Sequence, residues 1–304
     1  MRLIDKKNLF FIFSGIIIVP GLISLLLFGL KPAIDFTGGS VLELSMKNPE
    51  RQKIEKVLKS EKIEVHSINI SDNKAVIRTF PIEQKTKTAF VEELKKQDKL
   101  LVERSFQTVG PSIGRETTAN AFKAVAIASI AISLYVAFAF RKVSKPVSSW
   151  KYGICVIVTL LHDVVIVIGA FSILGHFFQV EVDALFITAL LTVMGFSVHD
   201  TIVVFDRIRE NLLRNYEHSF EEVVDHSLVE TINRSINTSL TIIVVLFSLI
   251  LFGGESIRWF TAALLIGIIA GTYSSIFNAA PLLVLWYERD KGKRSKNPEV
   301  KSKK

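Results

Sequence analysis

Long uncharged stretches alternate with short charged ones along most of this chain, and one segment breaks the rhythm. The runs 9–30, 121–140, 153–174, 184–205, 235–252 and 259–287 are uncharged or nearly so. Each is about 18 residues or longer, the length at which an apolar α-helix crosses the hydrocarbon of a bilayer. Only Lys123, His162, Asp163, His199 and Asp200 interrupt them. Lys123 lies a turn from the start of its run and can carry its ammonium to the interface. The exception is 31–118, where apolar positions follow two shorter periods. Val41, Leu42, Leu44 and Met46 predict a strand, Ile54, Val57 and Leu58 a helix after Pro49, and Val65, Ile68 and Ile70 a second strand. Ala75 to Phe80 predicts a third strand after the turn Ser71-Asp72-Asn73, 89–94 lies on a second amphipathic helix, and 100–106 predicts a fourth strand. That order is βαββαβ, the ferredoxin-like arrangement.

Composition adds that 49% of residues are hydrophobic and 22% charged, with the charges segregated by region. One globular core does not call for that mixture; six spans with one inserted domain do. Arg2, Lys6 and Lys7 precede a first run too long for a signal peptide and not followed by a small-residue cleavage site, so it is expected to be a retained anchor. Cys155 is alone and forms no internal disulfide. Basic residues fill 141–151 (Arg141, Lys142, Lys145, Lys151) and follow the fourth run (Arg207, Arg209, Arg214, Arg234), whereas 175–183 has none. The basic loops are therefore expected in the cytoplasm with both termini, including the basic tail 288–304, and 31–118 outside it. The tail reads first as a solvated, positive-inside segment, and no motif stands behind its binding either anionic lipid or ribosomal RNA; membrane lipid is an expected partner of the chain and nucleic acid is not. The domain reading is 1–30, cytoplasmic terminus and first span; 31–118, external domain; 119–287, spans two to six; 288–304, tail.

The chemistry-bearing residues lie inside the spans. A carboxylate at the middle of a membrane helix costs about 2.5 to 3.5 kcal/mol on insertion scales, so Asp163 must face a bundle interior, a proton path or a partner. A protonated Asp bonded between helices is the plainer alternative. Span three enters from the basic side, which puts Asp163 about 15 Å deep. Span four runs back, with Asp200 about 8 Å from the boundary and Ser197, Asp200 and Thr201 on one face. Gly195 is expected to admit a neighbouring helix closely. His162 projects about 100° from Asp163 and reads as packing or an interhelical hydrogen bond. Asn233, Arg234, Asn237, Thr238 and Ser239 are expected to bond between helices at the start of span five, and Gly267 and Gly271 to pack helices. Spans three and four carry no Lys or Arg at matching depth, so a second six-helix unit is expected to cover the face that holds Ser197. Segment 31–118 has no paired His/Cys cluster, no Ser-His-Asp set and no phosphate loop. No enzyme activity, metal or cofactor is expected.

Two motifs bracket the inserted domain, Ile34-Asp35-Phe36-Thr37-Gly38-Gly39-Ser40 and Val109-Gly110-Pro111-Ser112-Ile113-Gly114-Arg115-Glu116. Glycine pairs and proline at such junctions allow tight turns. With Leu161-His162-Asp163-Val164-Val165, Gly195 to Asn211 and Thr231 to Ser239, their order and spacing resemble the SecD/SecF family of protein-export membrane proteins, on its SecF side. The resemblance covers nearly the whole chain. It implies half of a pseudo-twofold resistance-nodulation-division unit, a membrane six-helix bundle with the inserted α+β domain. It implies a bacterial plasma-membrane subunit that pairs with a SecD-like chain and uses the proton-motive force to draw exported polypeptide through the SecYEG translocon. Asp163 would then take part in proton transfer, with Asp200, Ser197 and Thr201 continuing its polar stripe. His199 stands where the family often has Asn, and either adds a titratable group or keeps a hydrogen bond. Asp35, Gly38, Gly39, Gly110, Pro111, Gly195 and Arg207 would be structural. The alternatives are a proton-coupled small-molecule exporter of the same superfamily, which usually carries much larger external domains, and a membrane scaffold, which does not need Asp163.

Overall fold

The computed structural model describes residues 3–71, 73–140, 147–214 and 218–296. Asp72, the basic residues Arg141, Lys142 and Lys145, and the end of the tail lie outside these. The chain divides into two compact units, one of Met1–Lys31, Ala124–Glu181 and Leu185–Lys304, the other of Pro32–Lys123 with Val182–Ala184.

The smaller unit is built on β1 (Gly39–Ser45), β2 (Val65–Ser71), β3 (Lys74–Thr79) and β4 (Val102–Val109), with α3 (Arg51–Ser60) and α4 (Gln84–Gln97) in the crossovers and a single turn, α2 (Ile34–Thr37), ahead of β1. The sheet order is β2-β3-β1-β4 with every neighbouring pair antiparallel, the split βαβ arrangement. Leu42, Leu44 and Ile77 turn one sheet face toward Ile54, Leu58, Phe90 and Leu94 of the helices, as the alternating and helical spacings require. Ile70 departs from that pattern and is exposed, near the end of edge strand β2. Lys87 of α4 is buried with its ammonium 2.9 Å from both Glu103 oxygens on β4, so its charge is paired.

The bracketing motifs meet within this unit. Gly38 and Gly39 take φ of +73° and +128°, which side-chain-bearing residues rarely adopt. A Cβ on Gly38 would lie 2.9 Å from Pro111 Cα, and one on Gly114 2.9 Å from the Phe36 carbonyl oxygen. Asp35 Oδ2 accepts from Ala184 N at 2.9 Å, and Ala33 N donates to Val182 O at 2.8 Å. Pro111 opens α5 (Pro111–Ala139), where its missing N–H costs nothing. The helix thus starts well before the apolar run at 121. A Cβ on Gly110 would meet only Ser112 Oγ, at 4.0 Å, so space does not require glycine there.

The larger unit holds α1 (Lys7–Phe28), most of α5, α6 (Ser149–Phe178), α7 (Ala184–Arg214), α8 (Phe220–Phe252), α9 (Glu255–Ser274), a π-helical segment Ser275–Ala279 and α10 (Ala280–Lys296). Among the described residues, six continuous helices are long and apolar enough to cross a membrane, the last running through α9 and the π segment into α10. Leu26, Ile130, Val244 and other apolar side chains point outward, as helices solvated by lipid do. The π segment precedes Pro281, which has no N–H for the carbonyl a turn before it, and a wider turn accommodates that loss. Tyr152, Phe140 and Phe205 form a buried aromatic cluster, with Tyr152 ring centroids 5.4 Å from Phe140 and 5.2 Å from Phe205. Charged groups pair elsewhere in this unit, Lys7 with Glu288 at 2.5 Å and Lys151 with Asp290.

Candidate functional site

Three membrane-length helices close around Asp163, which is 0% exposed. Its Oδ2 accepts from Ser197 Oγ of α7 at 2.5 Å and from Ser274 Oγ, the last residue of α9, at 2.7 Å. Its Oδ1 lies 2.8 Å from His162 Nδ1. A buried carboxylate with two hydroxyl donors and an imidazole nitrogen in hydrogen-bond reach escapes the penalty of an unpaired charge. Asp200 of α7 is 8% exposed and similarly held, Oδ1 by Ser235 Oγ of α8 at 2.7 Å and Oδ2 by Ser275 Oγ at 2.6 Å. Consecutive serines of the last span therefore serve carboxylates on two different helices, and the π segment begins between them.

The hydroxyls have a second choice. Ser274 Oγ is 3.2 Å from Gly271 O, and Ser275 Oγ is 3.1 Å from Thr272 O. A hydroxyl can turn its proton to the backbone carbonyl and accept from a protonated carboxyl instead. Both protonation states of Asp163 and Asp200 thus keep complete hydrogen bonding without movement of the helices. Gly271 leaves room for this packing: a Cβ there would lie 3.0 Å from Ser197 Cβ and 3.6 Å from Asp163 Oδ2. Gly267 does the same one turn earlier, where a Cβ would run into Val193.

Of the sequence candidates, Asp163, Ser197, Asp200 and Thr201 are all buried, and Thr201 Oγ1 donates to Ser197 O at 3.0 Å, steadying the turn that carries Ser197. His199 is exposed and points away from this cluster. Gly195 is also exposed, and among the described residues no helix approaches it. His162 makes the expected interhelical hydrogen bond, its Nε2 lying 3.0 Å from Asn278 Nδ2, and the imidazole also swings back along the helix to bring Nδ1 to its neighbour's carboxylate. The expectation that a second unit covers the face at Ser197 fails, because α9 already buries that side chain at 1% exposure. In α8, Ser239 bonds Thr272 at 2.6 Å, whereas Asn233, Arg234, Asn237 and Thr238 are exposed rather than bonded between helices. Arg207 is tied to Glu230 and Glu210, each at 2.6 Å, and Asn211 joins Glu230 at 2.7 Å. An open groove of about 400 Å³ runs past Asp206, Arg207, Glu230 and Arg234.

Sequence reasoning missed Ser235, Ser274, Ser275 and Asn278 as parts of the cluster. Serines are ordinary in membrane helices, and only the packing of the last span singles these out.

Comparison with known proteins gives the same account at the level of family. Residues 89–289 match the model described as protein export membrane protein SecD/SecF, C-terminal, and 23–50 match the SecD/SecF GG motif. A protein translocase subunit SecF from Thermobaculum terrenum is 46% identical, the match covering 92% of each chain, and one from Anaerolinea thermophila is 42% identical over 94% of each. The protein translocase subunit SecDF of Bacillus subtilis is 37% identical, over 96% of this chain and 39% of its own. The crystal structure of SecDF from Thermus thermophilus, a translocon-associated membrane protein, superposes with a TM-score of 0.81 at 30% identity, over 95% of this chain and 39% of that one. The chain belongs to the SecD/SecF family of protein-export membrane proteins.

Proposed function

We propose that this protein is an auxiliary subunit of the Sec protein translocase which, with a SecD-like unit, uses the proton-motive force to promote late steps of polypeptide export through SecYEG. The observation that carries the proton part is Asp163, fully buried in a membrane-length bundle yet furnished with hydroxyls able to serve both its charged and its neutral form. A scaffold gains nothing from a buried carboxylate with switchable partners, whereas a proton-coupled device needs one. Asp200, with Ser235 and Ser275, supplies the second station. The relatives named SecDF, of which this chain spans 39%, support a SecD-like partner.

In this reading the protein sits in the bacterial plasma membrane with both termini in the cytoplasm and 31–118 outside, where exported chain emerges. His199, Arg234 and Asn237, polar on outward faces of α7 and α8, meet the partner rather than lipid. Gentle solubilisation of native membranes followed by isolation of the tagged full chain tests the assembly. Co-purification of a SecD-like chain and the translocon channel is expected; a chain that purifies alone while export continues to depend on it contradicts the proposal.

A further inference from the structure

We propose that His162 is a second proton-carrying group of this site, and that the Asn278 amide, held by Ser14, lets it exist in both its neutral and its imidazolium form. The proposal rests on the proton-driven reading above and extends it from a lone carboxylate to a coupled pair. Both ring nitrogens are engaged. Nδ1 lies 2.8 Å from Asp163 Oδ1, and Nε2 lies 3.0 Å from Asn278 Nδ2. With the amide nitrogen facing the ring, Nε2 carries the lone pair and the neutral imidazole donates Nδ1–H to the carboxylate.

Asn278 is not confined to that orientation. Its Nδ2 donates to Ser14 Oγ at 2.8 Å, and Ser14 Oγ is also 3.1 Å from its Oδ1. A hydroxyl both donates and accepts, so Ser14 can pair with either end of the amide. After a half-turn of the amide, Oδ1 faces the ring and accepts Nε2–H of an imidazolium, while Nδ1–H still faces the Asp163 carboxylate. Both forms are fully hydrogen-bonded, which a largely enclosed histidine requires to change charge without a large penalty. A proton adds to the Nε2 lone pair, giving the imidazolium beside the carboxylate. Transfer of the Nδ1 proton to Asp163 Oδ1 then leaves a neutral Nε2–H imidazole and a carboxylic acid.

The surroundings leave this exchange to few groups. From its own helix His162 meets Asp163; from α9 it meets Tyr273, ring centroids 6.4 Å apart, whose hydroxyl donates to Phe10 O at 2.8 Å. Ser14 of α1 and Asn278 of the π segment are neutral, and neither 8–28 nor 259–287 contains Lys or Arg. From α7, Asp200 is engaged by Ser235 and Ser275, and His199 faces outward.

The test compares His162→Asn with Asp163→Asn in membrane vesicles holding the full chain with its SecD-like partner and translocon, reading the export driven by an imposed proton gradient. Asn presents an amide donor near the Nδ1 position but does not titrate, so it replaces a positioning role and not a proton-carrying one. His162→Asn is expected to lower the gradient-driven increment about tenfold, equivalent to about 1.4 kcal/mol. A wild-type response in His162→Asn with a lost response in Asp163→Asn overturns the role of His162 and leaves the proton-driven reading standing. A wild-type response in Asp163→Asn overturns that reading. Imidazole nitrogen-15 spectra of the wild-type full chain in lipid, assigned by loss of one signal in His162→Asn or His162→Gln, read the ring directly. Signals of both the neutral and the doubly protonated ring as the pH of the sample is varied are the expected result; a ring that stays in one form throughout overturns the proposal, whatever the export assay gives.

Discussion

A Cβ placed on Gly169 of α6 would lie 2.7 Å from the Cα of Gly21 in α1, so these two helices touch backbone to backbone. The contact brings Ser24 and Ser172 within 2.9 Å and lets Ser172 Oγ donate to Gly29 O at 2.8 Å. Without a hydrophobic driving force between helices in lipid, close approach and such hydrogen bonds are what join them. Gly169→Ala must push α1 and α6 apart, and is expected to lower the stability of the full chain by about 1 to 3 kcal/mol, the usual cost of overpacking. Gly15→Ala, with open space around it, is the control and should leave thermal unfolding in lipid or detergent unchanged. Equal melting of the two variants contradicts the backbone contact.

Ser274 and Ser275 offer a paired test. Ser274→Ala removes a donor from Asp163, and Ser275→Ala one from Asp200. Hydrogen bonds to charged groups contribute about 1.5 to 3 kcal/mol. Each variant should reduce gradient-driven export, Ser274→Ala more severely because Asp163 is the more deeply buried carboxylate. Replacement by Thr, which retains the hydroxyl, should restore more of the response than Ala. Export rates as a function of imposed gradient decide this, and equal behaviour of Ala and Thr variants would show that the hydroxyls are dispensable.

The sequence made part of this site readable and hid the rest for identifiable reasons. Asp163, Ser197 and Asp200 stand out because polarity inside an apolar run is costly and the helical period assigns Ser197 and Asp200 to one face. The ferredoxin-like unit was legible because Leu42, Leu44, Ile54 and Leu58 switch cleanly between a period of 2 and a helical one. Gly21 and Gly169 were not, since no periodicity along one helix shows where another crosses it. Ser274, Ser275 and Asn278 depend on the wide turn at Ser275–Ala279, which redirects neighbouring side chains in a way an ideal helical projection does not give. The contact of the His162 ring with Asp163 escaped the projection, which follows Cα positions and ignores the reach of the ring.

Within the inserted unit, Gly39 combines φ of +128° with a would-be Cβ 2.9 Å from Thr79 O. Gly39→Ala in the isolated segment 31–118 should therefore cost about 1 to 3 kcal/mol, seen as a lower denaturation midpoint. The wild-type segment is expected to fold alone, and broad protection of its amides from hydrogen exchange checks that. An unprotected segment, or an unchanged midpoint in the variant, contradicts the assignment.

Surface labelling separates the covered cluster from the partner face. Ser197→Cys should stay unreactive toward bilayer-restricted thiol reagents because this chain itself buries the position, whereas Asn237→Cys on the outward face of α8 should crosslink to a SecD-like chain in native membranes. Reaction at residue 197 together with no crosslink from 237 would reverse the proposed faces. The variants are made in a Cys155→Ser background, since Cys155 is the one cysteine of the sequence.

The central claim is that protonation of Asp163 couples the membrane gradient to export, and its most direct measurement is the export rate of Asp163→Asn in vesicles across a graded series of imposed proton gradients. Asn has the shape of the carboxyl and can accept from Ser197 or Ser274, so the helices should assemble and the chain should reach the membrane in normal amounts. The account predicts a rate that no longer rises with the gradient, with Asp200→Asn showing a partial slope. A slope equal to wild type in Asp163→Asn would remove this carboxylate from the coupling and leave the buried cluster a purely structural one.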